Sequence, residues 1–236
     1  MSMPEAVMRA MEADINSVVL FPGRRSDIES VLRRKQTTLL LKRFYDIVFS
    51  LLGLIALLPV FVIIAIAIKI DSPGPVFYAQ TRVGKDGIHF KIYKFRKMHH
   101  YVGNRGSKLT LANDQRMTRV GSFLRKTKLD ELPQAWNVLK GDMSVVGPRP
   151  ETPNFVKHYS HEQREVLKVR PGITDYASIY YIDEGSILEK VDAPETYYIE
   201  TIMPKKIKMS KGYIHDMSLI NDMKIIFLTF SSILTD

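Results

Sequence analysis

The sequence predicts an α+β fold, mainly helical, that holds a membrane from one side. It reads as a compact domain carrying a proline-broken, re-entrant apolar helix. Three observations predict this. Every position from Ile47 to Ile68 is uncharged, Pro59 interrupts that run near its middle, and basic residues flank it at both ends. The remainder alternates short strand-patterned stretches with helix-patterned ones, punctuated by Gly and Pro clusters.

Within the run only Ser50, Gly53 and Pro59 depart from apolar side chains. A straight helix of that length reaches roughly 33 Å, enough for a hydrocarbon core. Helices of soluble cores rarely stay apolar on every face for so many turns, which argues against a buried soluble helix. The run begins too far into the chain, and lacks the small-residue cleavage pattern, for a signal peptide. A mid-helix proline removes a backbone hydrogen bond and forces a kink, so Leu58-Pro59 is the expected break. Arg33, Arg34, Lys35, Lys42 and Arg43 precede the run, and Lys69, Arg82, Lys85, Lys91 and Lys94 follow it. Basic residues are retained on the cytoplasmic side, so both ends read as cytoplasmic and the segment as turning back. A kinked spanning helix is the alternative.

The other elements follow in order. Residues 1–38 read as an accessory arm, with a short helix over Met3–Ala13, a break at Phe21-Pro22-Gly23, and a second helix from an N-cap at Ser26 to Arg34. Residues 39–70 form the membrane hairpin and 71–236 the domain. Asp71-Ser72-Pro73-Gly74-Pro75 is a turn cluster. Val76–Gln80 and Ile88–Phe95 read as strands joined by a hairpin at Gly84 and Gly87. Tyr101–Asn113 is polar and reads as a loop. Helices are expected near Phe123–Lys126, from Pro133 to a stop at Gly141, over Glu162–Lys168 and over Tyr197–Met209. The apolar tail Met223–Leu234 reads as a core helix, with the membrane surface as its alternative site.

The bulk numbers narrow the chemistry. A formal net charge of +9 attracts polyanions, whether nucleic acid, anionic lipid or phosphorylated substrate. With no cysteine there are no disulfides and no thiolate zinc site, and the six histidines show no HExxH spacing. Neither GxxxxGK[ST] nor GxGxxG is present, which argues against a P-loop or dinucleotide fold. The basic residues are dispersed and no nucleic-acid motif occurs, so a nucleic-acid partner is not expected.

The informative stretch is RKTKLDELPQAWNVLKGDMSVVGPRP, Arg125 to Pro150. Asp130 and Glu131 lie just before Pro133, and proline is tolerated only in a helix's first turn, so both carboxylates sit near a positive helix end. Adjacent side chains point in different directions, so the two cannot act as a symmetrical pair. One nucleophile and one metal ligand or base is the natural division. Plain capping of the following helix is the alternative. Arg125, Lys128 and Arg149 lie around the pair, with Arg170 further on. Gly147-Pro148-Arg149-Pro150 and Arg170-Pro171-Gly172 each hold an arginine on a stiff turn, suited to clamping an anion and also common as surface turns. As a strand, Lys91–Lys97 would turn Lys91, Tyr93, Phe95 and Lys97 to one face, and Lys94 and Arg96 to the other.

Taken together, KRFYD (Lys42–Asp46), the proline-broken segment, FKIYKFRKM (Phe90–Met98), LDELPQAWNVLKGDMSVVGPRP and VRPGIT (Val169–Thr174) resemble the bacterial sugar transferases, the monotopic phosphoglycosyl transferases. Five motifs in order make the match specific, although the break is Leu58-Pro59 where the family usually has Ser-Pro, and Asp175 stands where many members have Gly. The resemblance implies a cytoplasmic catalytic domain on the bacterial inner membrane, Mg²⁺ dependence and a covalent two-step reaction. A phosphosugar would pass from a uridine diphosphate (UDP) sugar to polyprenyl (undecaprenyl) phosphate, releasing UMP. It implies Asp130 as nucleophile, Glu131 as its partner in metal binding or proton handling, and Lys94, Arg125, Arg149 and Arg170 as phosphate-binding positions. Homo-oligomerisation is left open. The rival is a non-catalytic basic protein that binds anionic membrane lipid, and it leaves the Asp-Glu block unexplained.

Overall fold

The protein is described by a computed structural model over residues 28–100 and 114–235. The expected helix Met3–Ala13, the Ser26 cap and the polar stretch 101–113 therefore lie outside the described residues. Ile28 and Val31, three apart, share one face of helix α1 (Ile28–Arg34), and both are buried. Ile28 joins the main core with Val166, Tyr213 and Ile214. The last part of the expected accessory arm is thus domain core, because its two apolar residues find a packed surface at helical spacing.

The apolar run forms two helices, α2 (Gln36–Ala56) and α3 (Leu58–Asp71), bent by 60° at Leu57. Pro59 sits in the first turn of α3, where its missing N–H costs nothing. No single helix is long and apolar enough to cross a membrane, but this bent pair passes that test together. α2 is not apolar all round. Lys42, Asp46 and Ser50, at i, i+4 and i+8, are buried on one face against the domain. Residue 39, read as the start of the hairpin, lies inside α2, a helix with one face packed on the domain and the other exposed and apolar.

Alternating residues then pair β1 (Phe77–Val83) antiparallel with β2 (His89–Phe95), Phe77 opposite Phe95 and Val83 opposite His89. Phe95 stacks on Phe77 at 5.3 Å and meets Phe61 of α3 edge-on at 5.0 Å, which ties the second limb to the sheet. α4 (Arg119–Lys126) starts at Thr118, whose hydroxyl accepts from the Gly121 N–H. α5 (Gln134–Lys140) ends at Gly141 in the left-handed region, as read from the sequence. Asn137, fully buried in α5, accepts from the Tyr93 N–H and donates to Lys91 O, so the helix reads the free edge of β2 as a neighbouring strand would.

A parallel pair that the sequence pattern did not reveal follows: β3 (Ser144–Val146) beside β4 (Gly172–Thr174). It zips the two stiff turns together. A Cβ on Gly172 would stand 2.1 Å from the Gly147 nitrogen, so only glycine permits the contact. The core closes with α6 (Pro153–Val156), a 3₁₀ segment over Gln163–Lys168, α7 (Tyr176–Tyr180), α8 (Glu184–Glu189), α9 (Pro194–Tyr197), a π-helical stretch over Tyr198–Ile202 and α10 (Met203–Asp216). The tail is helix α11 (Leu219–Thr235). Only one face enters the core, through Asp222, Ile225 and Ser232. Ile220, Met223, Phe227, Phe230 and Leu234 form an exposed stripe at three- and four-residue spacing, so the core-helix reading holds for half of the helix only.

Candidate active site

Three pieces of chain converge on Asp130 and Glu131. The first is the chain reversal that carries them. Lys128 takes the left-handed conformation, φ 56°, uncommon for a residue with a side chain, and it ends α4 so that Leu129–Glu131 can turn as a 3₁₀ segment into Pro133 and α5. The second is the end of β2, and the third is the exit of β3 through Gly147-Pro148-Arg149. Asp130 is buried, 2% exposed, as expected for a side chain at the foot of the α5 helix rather than a surface cap.

The two carboxylates part as their adjacency requires. Glu131 accepts from Lys94 Nζ at 2.6 Å and from Arg149 at 2.6 and 3.3 Å. Burial pushes its carboxyl upward, but the charges of Arg149 and Lys94 outweigh burial and hold it well below the usual carboxylate range. Arg149 answers in kind: Glu131 raises its pKa further, against burial. Burial pulls Lys94 down to about 8, with Glu131 opposing. Asp130 faces elsewhere. Its Oδ2 lies 3.2 Å from Lys97 Nζ, an ion pair without hydrogen-bond alignment, so this buried oxygen has no hydrogen-bond donor.

Lys128 completes the setting. Its ammonium donates to Ile182 O at 3.3 Å, burial lowers its pKa, and Glu131 and Asp130 both act on it to raise it. Four cations thus surround two carboxylates. Arg82 lies behind them, donating to Pro150 O and Gln80 and paired with Glu151 at 3.7 Å. A surplus of buried positive charge is costly unless an anion completes it. That is the electrostatic signature of a phosphate site.

Of the residues expected here, Lys94 and Arg149 meet Glu131 directly. Arg125 occupies the last turn of α4 and helps hold the Asp114 carboxyl below its ordinary range, after the Arg116 hydrogen bond and against burial. Arg170 donates to Gly141 O at 2.9 Å, at the far end of α5. Lys97 was missed as a site residue. Strand alternation assigns it the face opposite Lys94, but β2 stops at Phe95, two residues before it, and the long side chain still reaches Asp130. Only the cationic character of the stretch could have pointed to it.

Among the described residues no group of three or more Asp, Glu or His side chains is placed to share a metal ion. Asp130 and Glu131 still fit Mg²⁺ in one respect: both offer hard oxygens, and one buried oxygen of Asp130 has no hydrogen-bond donor. Mg²⁺ commonly takes one or two carboxylates and draws its other ligands from water and substrate phosphates.

The family model described as bacterial sugar transferase matches residues 37–236. Over 231 residues the chain is 38% identical to the UDP-glucose:undecaprenyl-phosphate glucose-1-phosphate transferase of Escherichia coli (strain K12), covering 94% of this chain and 45% of that protein. It is 39% identical over 200 residues to the UDP-N-acetylgalactosamine-undecaprenyl-phosphate N-acetylgalactosaminephosphotransferase of Aeromonas hydrophila, covering 83% of this chain and 44% of that protein. A UDP-glucose:undecaprenyl-phosphate glucose-1-phosphate transferase of Caulobacter vibrioides (strain ATCC 19089 / CIP 103742 / CB 15) is 38% identical over 197 residues, covering 82% of this chain and 70% of that protein. The chain spans less than half the length of the first two and most of the third.

Proposed function

The chain belongs to the bacterial sugar transferase family, and on that premise we propose that it moves a sugar phosphate from a UDP-sugar to undecaprenyl phosphate at the cytoplasmic face of the inner membrane. The observation that carries the reading is Asp130: a buried carboxylate with one oxygen free of hydrogen bonds, among cations that outnumber the carboxylates. In the first step an Asp130 oxygen attacks the sugar-bearing phosphorus. The bond from that phosphorus to the bridging oxygen breaks, and UMP leaves with the electron pair. In the second, an oxygen of undecaprenyl phosphate attacks the same phosphorus and Asp130 departs as a carboxylate. The product is an undecaprenyl diphosphate sugar.

Each residue has a part in that sequence. Arg149, on its stiff turn, and Lys94 hold charge beside the phosphoryl oxygens. Glu131 keeps both in place and, being held ionised, keeps both charged. Asp130 and Glu131 would hold Mg²⁺ together with the diphosphate, and the ion would supply charge neutralisation there.

Anchoring on one side is supported by where the hairpin is fastened. Near its start, Lys42 pairs with Asp222 at 2.5 Å, and Asp46 accepts from Ser144 Oγ and the Val145 N–H. At its end, Asp71 accepts from the Val120 N–H, and Arg96 holds Ser72 and Pro73. Both ends are tied to the same domain, so the two limbs leave from and return to one side. Between them Leu51, Leu52, Ile55, Leu58, Val62, Ile63 and Ile66 are exposed, an apolar surface that water does not favour and lipid does.

The test is UMP release from a panel of UDP-sugars, with undecaprenyl phosphate and Mg²⁺, on the protein in detergent or nanodiscs. We expect release with one or a few donors, loss in EDTA and recovery on adding Mg²⁺. No release from any UDP-sugar would defeat the transferase reading and favour a lipid-binding protein.

A further inference from the structure

Lys97 stands apart from the other cations of the site. Lys94 and Arg149 share Glu131 as their ion-pair partner, whereas Lys97 pairs with Asp130. Its backbone is fixed. The Lys97 carbonyl accepts from the Thr118 N–H at 3.0 Å and lies against Gly121, where a Cβ would approach that oxygen to 1.9 Å. Met98 bridges to Met117 next door. The side chain is less constrained: it is about a quarter exposed, and its ammonium reaches a fully buried carboxylate without aligned hydrogen bonding. A rigid root and a loosely held tip suit a group that changes partner.

We propose that Lys97 is a charge clasp: it pairs with Asp130 in the resting protein and transfers to the donor's diphosphate when the donor enters, freeing Asp130. This rests on the transferase reading above. The electrostatics follow the chemistry. Without Lys97, Asp130 would be a buried carboxylate without its ion-pair partner, left only the longer-range charge of Lys94 and Lys128, which is costly. With Lys97 held permanently, the oxygen that must attack phosphorus would stay covered. When Asp130 bonds to phosphorus its own negative charge is consumed, and the nearest negative oxygens become those of the phosphoryl group. An ammonium rooted beside the carboxylate can follow the charge there.

The clasp makes a prediction that a static ion pair does not. UDP is titrated into folded, detergent-solubilised protein by calorimetry, in EDTA so that divalent cations do not enter the comparison. Lys97→Met should bind UDP about tenfold more weakly, the size of one charge-assisted contact. Asp130→Asn should bind it several-fold more tightly, since it removes repulsion and also releases Lys97 to the diphosphate. In the Lys97→Met background the same Asp130→Asn change should gain clearly less, because only the repulsion remains to be removed. Equal gains in the two backgrounds, or unchanged affinity in Lys97→Met, would overturn the clasp while leaving the transferase reading intact. A wild-type protein that binds no UDP and releases no UMP would remove that reading, and the clasp with it.

Discussion

Two buried charge clusters in this protein look alike and are built on opposite terms. At the base of the hairpin, Lys42 of α2 meets Asp222 of α11, and Tyr213 donates to the same carboxylate at 2.6 Å. Nearby Asp46 is satisfied by a hydroxyl and a backbone N–H. Every carboxylate oxygen there is hydrogen-bonded within the protein. Around Asp130 and Glu131 the account is left open, with Lys94, Lys97, Lys128 and Arg149 set against two carboxylates and one carboxylate oxygen without a hydrogen bond. The difference teaches how to tell architecture from chemistry. A closed network fixes geometry, here the seat of α2, whereas a network with surplus charge of one sign waits for a ligand of the other.

The largest expected effect breaks the open cluster at Asp130, its proposed nucleophile. Asp130→Asn keeps the size and most of the hydrogen-bonding capacity, but it cannot form an acyl phosphate. Turnover, measured as UMP release, should fall by at least about 10³-fold, as for loss of a nucleophile. Folding should weaken somewhat, because Lys97 loses its carboxylate in a site already rich in positive charge, so turnover is read per folded molecule. Near-normal turnover with normal UDP binding would return the Asp-Glu pair to the role of a helix start.

The closed cluster should respond in reverse. Lys42→Met leaves Asp222 buried without its counter-charge, and breaking such a pair costs about 3–5 kcal/mol. The loss should appear as a lowered unfolding temperature, with kcat per folded molecule largely kept. The sharper arm is the double variant Lys42→Met/Asp222→Leu, which replaces the pair by apolar packing and should recover most of the stability. The corresponding replacement at the open cluster, Lys94→Met/Glu131→Leu, should leave the protein inactive however well it folds. Recovery of activity there would erase the distinction between the clusters.

Much of this arrangement was legible in the sequence, and the rest was hidden for identifiable reasons. The break just before Leu58-Pro59, the helix following Pro133, its stop at Gly141 and the β1–β2 hairpin all carry local signals, since proline, glycine and alternation act over a few residues. The β3–β4 pair carries none. Each strand has three residues, and their parallel pairing depends on the Gly147–Gly172 contact, which is long-range. Asn137 looked like any polar helix residue, because its role is to satisfy the edge of a strand far away in the chain. Lys97 was obscured by a rule applied two residues past the end of β2: alternation ends where the strand ends. In α11 the run of apolar residues concealed that its buried face carries Asp222, so that composition pointed inward where spacing pointed both ways.

The smallest expected effect concerns Arg170, which the family resemblance places among the phosphate-binding positions. In the structure its Nε donates to Gly141 O, and Arg43 donates to Val138 O at 2.6 Å and to Leu139 O at 2.9 Å. Two arginines thus cover the last carbonyls of α5, where the helix dipole is negative and unpaired C=O groups need donors. Asp130 and Glu131 lie at the other end of the same helix, so Arg170 reaches the site through α5 and not by contact. Capping interactions of this kind contribute about 0.3–1 kcal/mol when exposed, and Arg43 remains to hold two of the three carbonyls. Arg170→Ala should therefore lower stability slightly and change kcat and the donor KM by no more than about threefold. Arg149→Ala, which strips Glu131 of one of its two cations, should cost on the order of 10²-fold. The measurement is a pair of steady-state profiles on the two variants with a single UDP-sugar. A loss at Arg170 as deep as that at Arg149, concentrated in the donor KM, would mean that the loop after Val169 moves its guanidinium onto the diphosphate once the donor is bound. The open cluster would then extend to the far end of α5.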